Sequence, residues 1–371
     1  MDGALVTFAG AYRGRRVLVT GHTGFKGAWL CEWLLALGAE VEAIALATQT
    51  PPGLAEILDL PSRLGHHILD VRDGAALEKA VERARPEIVF HLAAQALVRR
   101  SYEDPRGTWE VNVGGTVNLL EAVRRTPSVR ACVVVTSDKC YENREWHYAY
   151  REDDCLGGHD PYSSSKGAAE LAVSSWRRSY FSAKDAARIA TARAGNVIGG
   201  GDRSRDRIVV DFVNAANADR PLVLRSPRAT RPWQHVLVPV SGYLTLGARL
   251  FAPDGAAFTE AWNFGPSDAD AVTVETLTRL LVAAWGSSSV RWESEGEGPY
   301  EAARLRLDCG KALARLGWRS VWNVEEAVKR TIAWYRLERA GGDTAGLVRS
   351  QIAEYVEAER AAGRPWAEGP Q

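Results

Sequence analysis

The sequence predicts an α/β protein built on a doubly wound parallel sheet, with a smaller C-terminal α/β lobe over the strand ends. The first observation is a rhythm: strand-like runs at 17–20, 40–46, 67–70, 88–92, 132–136 and 189–193 alternate with amphipathic, helix-like segments. That pattern lays parallel strands under helices on both faces. The second is a glycine turn, Gly21, Gly24 and Gly27, between the first strand and a helical pattern near Ala28. The third is the loss of the rhythm after Gly195, where Gly199, Gly200 and Gly201 open an irregular region. The expected division is 12–195 for a dinucleotide-binding domain of Rossmann type, with segments near 232–250 rejoining it, and 196–371 mainly for a substrate lobe.

In chain order, the glycine turn comes first. Gly21 takes the sharp turn, Gly24 lets backbone approach a phosphate, and Gly27 lets the helix pack closely on the strand. The amides around Thr23, Phe25 and Lys26 then face the anion at a helix N-terminus. The second strand ends in Ala45, Leu46, Ala47, Thr48 and Gln49, with neither the acid that marks NAD nor a base suited to a 2′-phosphate, so NAD and NADP both stay open. Asp70, with Val71 beside it, ends the third strand; it either accepts from an adenine amino group or caps a helix. After the fourth strand, Ala93, Ala94 and Gln95 begin a stretch of small residues against which a ribose can lie.

The fifth strand runs into Ser137, Asp138 and Lys139, and Tyr162 and Lys166 follow near the start of a helix. The i, i+4 spacing puts the phenol and the ammonium on one helix face, where a cation is expected to lower the Tyr162 pKa and make it a base for an alcohol proton. Ser137 can bond the same hydroxyl. A simple dehydrogenase or 4-epimerase has no use for the acid and possible base that come next. An elimination does: once a sugar C4 hydroxyl is oxidised, a base at C5 and an acid at the C6 hydroxyl expel water.

Composition narrows the partners. The chain has 371 residues, 46 basic and 46 acidic side chains and 46% hydrophobic residues, which suits about two domains with sizeable cores. Zero formal net charge without like-charge blocks argues against nucleic acid and membrane surfaces, while Arg203, Arg205 and Arg207 remain phosphate candidates. Cys31, Cys132, Cys140, Cys155 and Cys309 are odd in number and lack C-x-x-C spacing, as reduced thiols of a cytoplasmic protein would be, with no metal expected. No leader-like or bilayer-long apolar run is present. The tail 363–371 holds two Pro and two Gly and is expected to fray.

At these motifs, over about 15–334, the chain resembles the extended short-chain dehydrogenase/reductases and, within them, the CDP-glucose 4,6-dehydratases. The segments 157–162 and 231–236 are similar to that family rather than to the superfamily at large. The resemblance implies Ser137, Tyr162 and Lys166 as the oxidation triad, with Tyr162 and Lys166 also reaching the cofactor, NAD. It implies Asp138 as the acid at C6. Lys139 falls where dTDP-glucose dehydratases carry a glutamate base; Glu142, Glu145 and His147 are its rivals for the C5 proton. Substrate contacts are implied for Gln95, Arg99, Asn196, Arg231 and His235, with Tyr102 near the sugar pocket; Arg207 is expected at the substrate as a phosphate candidate by its charge. A CDP-sugar substrate and a homodimer or homotetramer, paired through helices near 116–125 and 168–176, follow from the same likeness. The alternatives are a UDP-N-acetylhexosamine or dTDP-glucose dehydratase and, from another class, a catalytically silent dinucleotide-binding protein.

Overall fold

The computed structural model describes residues 5–224, 226–267, 270–286, 292–294 and 304–369. Six strands come in chain order: β1 (Arg16–Thr20), β2 (Glu40–Ala45), β3 (Gly65–Ile68), β4 (Ile88–His91), β5 (Ala131–Val135) and β6 (Arg188–Ala194). With the strand Ala261–Phe264 they form one seven-stranded sheet, ordered from that strand through β6, β5, β4, β1 and β2 to β3, parallel throughout. The order reverses between β1 and β4. A crevice opens there beyond the carboxyl ends of the strands, where ligands of such sheets sit.

Alternate side chains explain the two layers. Val17 and Val19 enter a core shared with Phe90, Val133 and the Trp29 and Trp33 rings of helix α1 (Phe25–Ala36), and Leu18 enters the opposite one with Val89, Cys132, Leu119 and Leu120. Both faces are covered, so the strands read as continuous apolar runs rather than alternating ones. Helix α1 is buried from Gly27 to Leu34, because its sequence is apolar on nearly every side.

Three details differ from the sequence expectation. β3 ends at Ile68, with Leu69 N–H bonded to the Ala45 carbonyl at 2.9 Å, so Asp70 lies in the loop beyond the strand. The seventh strand comes from residues past 250, beyond the segments expected to rejoin the sheet, and Thr344–Ala361 lies against α1. The described C-terminal residues therefore serve both the sheet and the short pairs over its rim, such as Thr230–Pro232 with Ala271–Thr273. Finally, the described part of the tail is anchored: Trp366 stacks on Phe8 at 4.8 Å and meets the edge of Trp33 at 6.0 Å. Burying an aromatic side chain of this size gives about 2–3 kcal/mol, enough to hold the described residues down to 369; 370–371 lie outside them.

Candidate active site

The glycine turn is held by contacts that exclude a Cβ. Gly21 has φ +85°, a left-handed value, and a Cβ there would stand 2.8 Å from the Ala93 nitrogen; one on Gly27 would stand 2.2 Å from the Gly21 carbonyl oxygen. Turn, β4 end and α1 are thereby pressed together. Gly24 is the N-cap of α1, which has no side-chain cap and no acidic residue in its first turn. A helix start bare of competing acceptors is suited to a diphosphate, and the cradle thus fits a dinucleotide. Thr23 Oγ1 donates to the Leu46 carbonyl at 2.9 Å. Lys26 Nζ donates to the Tyr243 hydroxyl at 3.3 Å; burial, then Arg207 and Lys166, push its pKa down to about 7.

One cavity of about 1230 Å³ joins this turn to the ends of β2 to β6. Gly21, Thr23, Gly24, Phe25, Lys26, Gly27, Asp70, Val71, Ala93, Ala94, Gln95, Arg99, Ser137, Asp138, Lys139, Tyr162, Lys166, Asn196, Arg207 and Arg231 all line it. Asp70 is not free to turn inward at no cost. Arg72 binds it through Nη2 at 2.6 Å and holds its pKa low, while the adjoining helix cap is Asp73.

On the catalytic side, Asp138 opens a short 3-10 turn after the extended residue Ser137. Ser137 Oγ donates to Asp138 Oδ1 at 3.0 Å and accepts from Lys139 N–H at 3.2 Å. Asp138 Oδ2 is buried without a hydrogen-bond partner, and burial raises its pKa against the pull of Lys139 and Ser137. A raised carboxyl pKa is what a proton donor requires. Tyr162 follows the N-cap Asp160, whose carboxylate accepts from Ser163 N–H at 2.9 Å, and Pro161 starts the helix Pro161–Ser179.

Here one expectation is corrected. The Tyr162 phenol is pushed up to about 12, by burial first and with Ser137 opposing, and Lys166 is not among the leading influences on it. Desolvation of the phenolate outweighs the helical neighbour. Lys166 itself falls to about 8 through burial, with Glu170 opposing.

Of the rivals for the C5 proton, none lines the cavity, whereas Lys139 does. His147 Nδ1 lies 2.9 Å from Arg304, and a Cβ on Gly157 would strike the Glu142 carboxylate. Among the substrate candidates, Gln95 spends its amide on the loop, with Nε2 donating to Thr108 at 2.9 Å and Oε1 accepting from Leu97 N–H at 2.6 Å. Arg99 lies 3.5 Å from Asp206, and Arg207 3.7 Å from Asp202. Arg203 is taken by Glu338. Tyr102 is exposed and off the cavity wall. His235 is corrected: its ring is fully buried between Trp29 and Trp322, at 5.6 and 5.2 Å, and does not line the cavity. Its β-pairing with Ile198 turns the side chain into the aromatic core.

Sequence reading missed Asn112, whose Nδ2 donates to the Gln95 carbonyl at 3.0 Å and to Ser165 Oγ at 2.9 Å. It also missed Glu170 beneath the site, although the i+4 spacing from Lys166 pointed there. Among the described residues no cluster of His, Cys, Asp and Glu is arranged for a metal ion, and no helix is long and apolar enough to cross a membrane.

Comparison with known proteins agrees with this geometry. The sequence profile of the GDP-mannose 4,6 dehydratase family matches residues 18–331. A CDP-glucose 4,6-dehydratase of Salmonella typhimurium is 46% identical, over 94% of this chain and 98% of that protein. A UDP-glucose 4-epimerase of Mycolicibacterium smegmatis is 31% identical, over 86% of this chain and 98% of its own length. Among solved structures, a dTDP-glucose 4,6-dehydratase of Streptomyces venezuelae with NAD and TYD bound superposes with a TM-score of 0.73 at 26% identity, covering 89% of this chain and 99% of that one. With sheet, glycine cradle and Ser137–Tyr162–Lys166 rim all in one crevice, the chain belongs to the GDP-mannose 4,6-dehydratase family of the extended short-chain dehydrogenase/reductases.

Proposed function

We propose that the protein is an NAD-dependent CDP-glucose 4,6-dehydratase, which converts CDP-D-glucose to CDP-4-keto-6-deoxy-D-glucose and water. The observation that carries the reading is Asp138: a buried carboxyl with a raised pKa and one unpartnered oxygen, set between Ser137 and Lys139 on the cavity wall. An epimerase has no step that consumes such a proton. The 46% identity to a CDP-glucose 4,6-dehydratase supports the choice of nucleotide.

When bound in the glycine cradle, NAD supplies the chemistry of taking a hydride from C4 and returning it at C6. The side chains manage the protons. Tyr162 takes the C4 hydroxyl proton, helped by Ser137, whose hydrogen bond opposes the burial penalty on the phenolate, while Lys166, one turn on along the cavity wall, would hold the cofactor. The C4 ketone makes the C5 hydrogen acidic. Lys139, as the neutral amine, removes it, Asp138 delivers a proton to the C6 hydroxyl, and water leaves; the Lys139 ammonium then gives its proton back to C5 as C6 is reduced. Arg99, Arg207 and Arg231 give the cavity positive charge suited to a diphosphate, and Asn196 completes that wall. Asp70 and Val71 border the adenine end. The protein works in the cytoplasm as a homodimer or homotetramer; its five cysteines are free thiols, as that compartment would keep them.

The test is turnover of CDP-, dTDP-, UDP- and GDP-glucose and of UDP-N-acetylglucosamine, with products identified by mass. A product lighter than substrate by one water, formed fastest from CDP-glucose, is expected. Preference for UDP-N-acetylhexosamine or dTDP-glucose would replace the substrate, and net release of reduced cofactor with each product would replace the reaction class.

A further inference from the structure

Beneath the cavity floor lies a buried ion pair that takes no part in the proton transfers above. Glu170 sits one helical turn beyond Lys166 and two beyond Tyr162 on the helix Pro161–Ser179, so all three share a face. Its carboxylate is 3% exposed and fully engaged: it accepts from Thr136 Oγ1 at 2.5 Å, Thr191 Oγ1 at 2.7 Å and Arg193 Nη2 at 2.8 Å. Thr136 is the residue before Ser137. Arg193, also 3% exposed, reaches on to the Tyr141 hydroxyl at 2.8 Å and the Glu152 carbonyl at 3.0 Å. The pair thus touches both ends of the segment Thr136 to Tyr141, which carries the proposed acid and base.

We propose that Glu170 is a positioning residue: its carboxylate locks the end of β5 to the helix that carries Tyr162 and Lys166, and sets a buried negative charge one turn behind the Lys166 ammonium. The proposal rests on the functional reading above only in giving Lys166 a catalytic task. A buried ion pair is a poor source of net stability, because desolvation offsets most of the attraction. Holding a registry and a charge is the better account of it. Burial is the largest influence on Glu170 and opposes its charge, yet Arg193 and the two hydroxyls keep its pKa below the ordinary value. The ionisable groups acting on Lys166 are Glu170 on its own helix and Cys140 from the turn after β5, both favouring the ammonium; His91 of β4 and Lys26 of α1 feel the Lys166 charge in turn. Around Glu170 stand Arg193, Arg177 and Cys140.

The experiment follows each lysine side chain of the full-length protein by carbon-13 NMR through a pH titration, with Lys166→Met to assign the signal. Glu170→Gln keeps the shape and removes the charge. Lys166 should hold its proton roughly tenfold or more weakly, which is a midpoint lower by about one pH unit, and the alkaline limb of turnover should move with it. An unmoved Lys166 midpoint in the folded variant overturns the proposal. Because removing one partner of a buried pair can prevent folding, Glu170→Gln with Arg193→Met removes both charges. That double variant should fold, by near-ultraviolet circular dichroism, and show a midpoint lowered in the same direction by a smaller amount, since the Arg193 charge leaves with that of Glu170. If it folds with the midpoint of the unaltered protein, or does not fold, the pair is a folding element and the proposal fails. If the midpoint falls as expected while the unaltered protein turns over no CDP-glucose, the functional reading fails and the proposal stands.

Discussion

The two halves of the cavity are made of different material. Around the glycine turn the wall is backbone and small side chains: Gly21, Gly24 and Gly27, the first turn of α1, and Ala93 and Ala94 at the end of β4. Across the crevice the wall is titratable and dry: Asp138 at 2% exposure, Tyr162 at 7% and Lys166 at 5%, each with a pKa moved by burial. Under the proposed function, the first half would recognise by shape and amide dipoles and has little to gain from pH. The second stores protons in groups whose charged forms are penalised, so that each can give up or accept a proton at a defined step. Even His22, inside the turn, is pulled down to about 4 by burial and the neighbouring His66, and is neutral near pH 7.

The sharpest way to break the contrast is Tyr162→Phe, which removes one hydroxyl from the dry half and leaves the ring in place. Turnover should fall at least about 10²-fold, the scale of a lost general base, while Tm stays close to the unaltered value. A folded variant with near-normal turnover would move the base elsewhere. Asp138→Asn should separate oxidation from elimination with a slightly smaller loss: in a single turnover of CDP-glucose, mass analysis should find a 4-keto sugar that keeps its C6 oxygen. Lys139→Met should stall at the same stage and slow the exchange of the C5 hydrogen with deuterated solvent; full turnover would return the base to an open question.

The opposite pattern is expected of the shape-based half. Gly27→Ala places a Cβ 2.2 Å from the Gly21 carbonyl oxygen and 2.8 Å from its carbon, backbone atoms that cannot swing aside. Overpacking of this kind costs about 1–3 kcal/mol. NAD should bind roughly tenfold or more weakly by calorimetry, whereas the Lys166 titration should not move. A variant that binds normally would mean that α1 can slide outward and that the close approach is incidental.

The same contrast decides how far the sequence could be read. The glycine turn was legible because backbone geometry dictates residue type locally: φ +85° at Gly21 and the contact at Gly27 leave little choice. Tyr162 and Lys166 were legible as a spacing, and Ser137 and Asp138 as a strand end. What they do electrically was not. The expected lowering of the Tyr162 pKa ignored desolvation, which depends on helices and strands far away in sequence. His235 was misplaced for a related reason: a polar residue in a distinctive motif suggests a ligand, but Trp29 and Trp322, from 206 residues before it and 87 after, turn it into core. The seventh strand, Ala261–Phe264, is four residues long with no marker of its own, and only its pairing with β6 defines it. Long-range burial is the common factor in these misses.

Lys26 is the one side chain of the turn that blurs the division, and it gives the smallest predicted effect. Its pKa of about 7 means that the free protein carries the charge below that pH and loses it above. A diphosphate held at the first turn of α1 would gain from the ammonium, so NAD affinity should decline severalfold between pH 6 and pH 8.5, within the roughly 1 kcal/mol that a single partly screened charge contributes. Bound phosphate raises the pKa of a nearby ammonium, so the decline should begin at the free protein's value of about 7 and level off above the higher pKa of the complex. Lys26→Met should bind as the unaltered protein does at pH 8.5 and show no slope. The stability effect has the opposite sign. With the folded pKa depressed below the unfolded 10.5, burying Lys26 costs most below pH 7, and the cost fades as pH rises towards 10.5. Lys26→Met should therefore raise Tm more at pH 6 than at pH 9. Flat affinity in both proteins would mean that the Tyr243 hydroxyl, 3.3 Å away, turns the ammonium from the phosphate, and that the turn works by backbone alone.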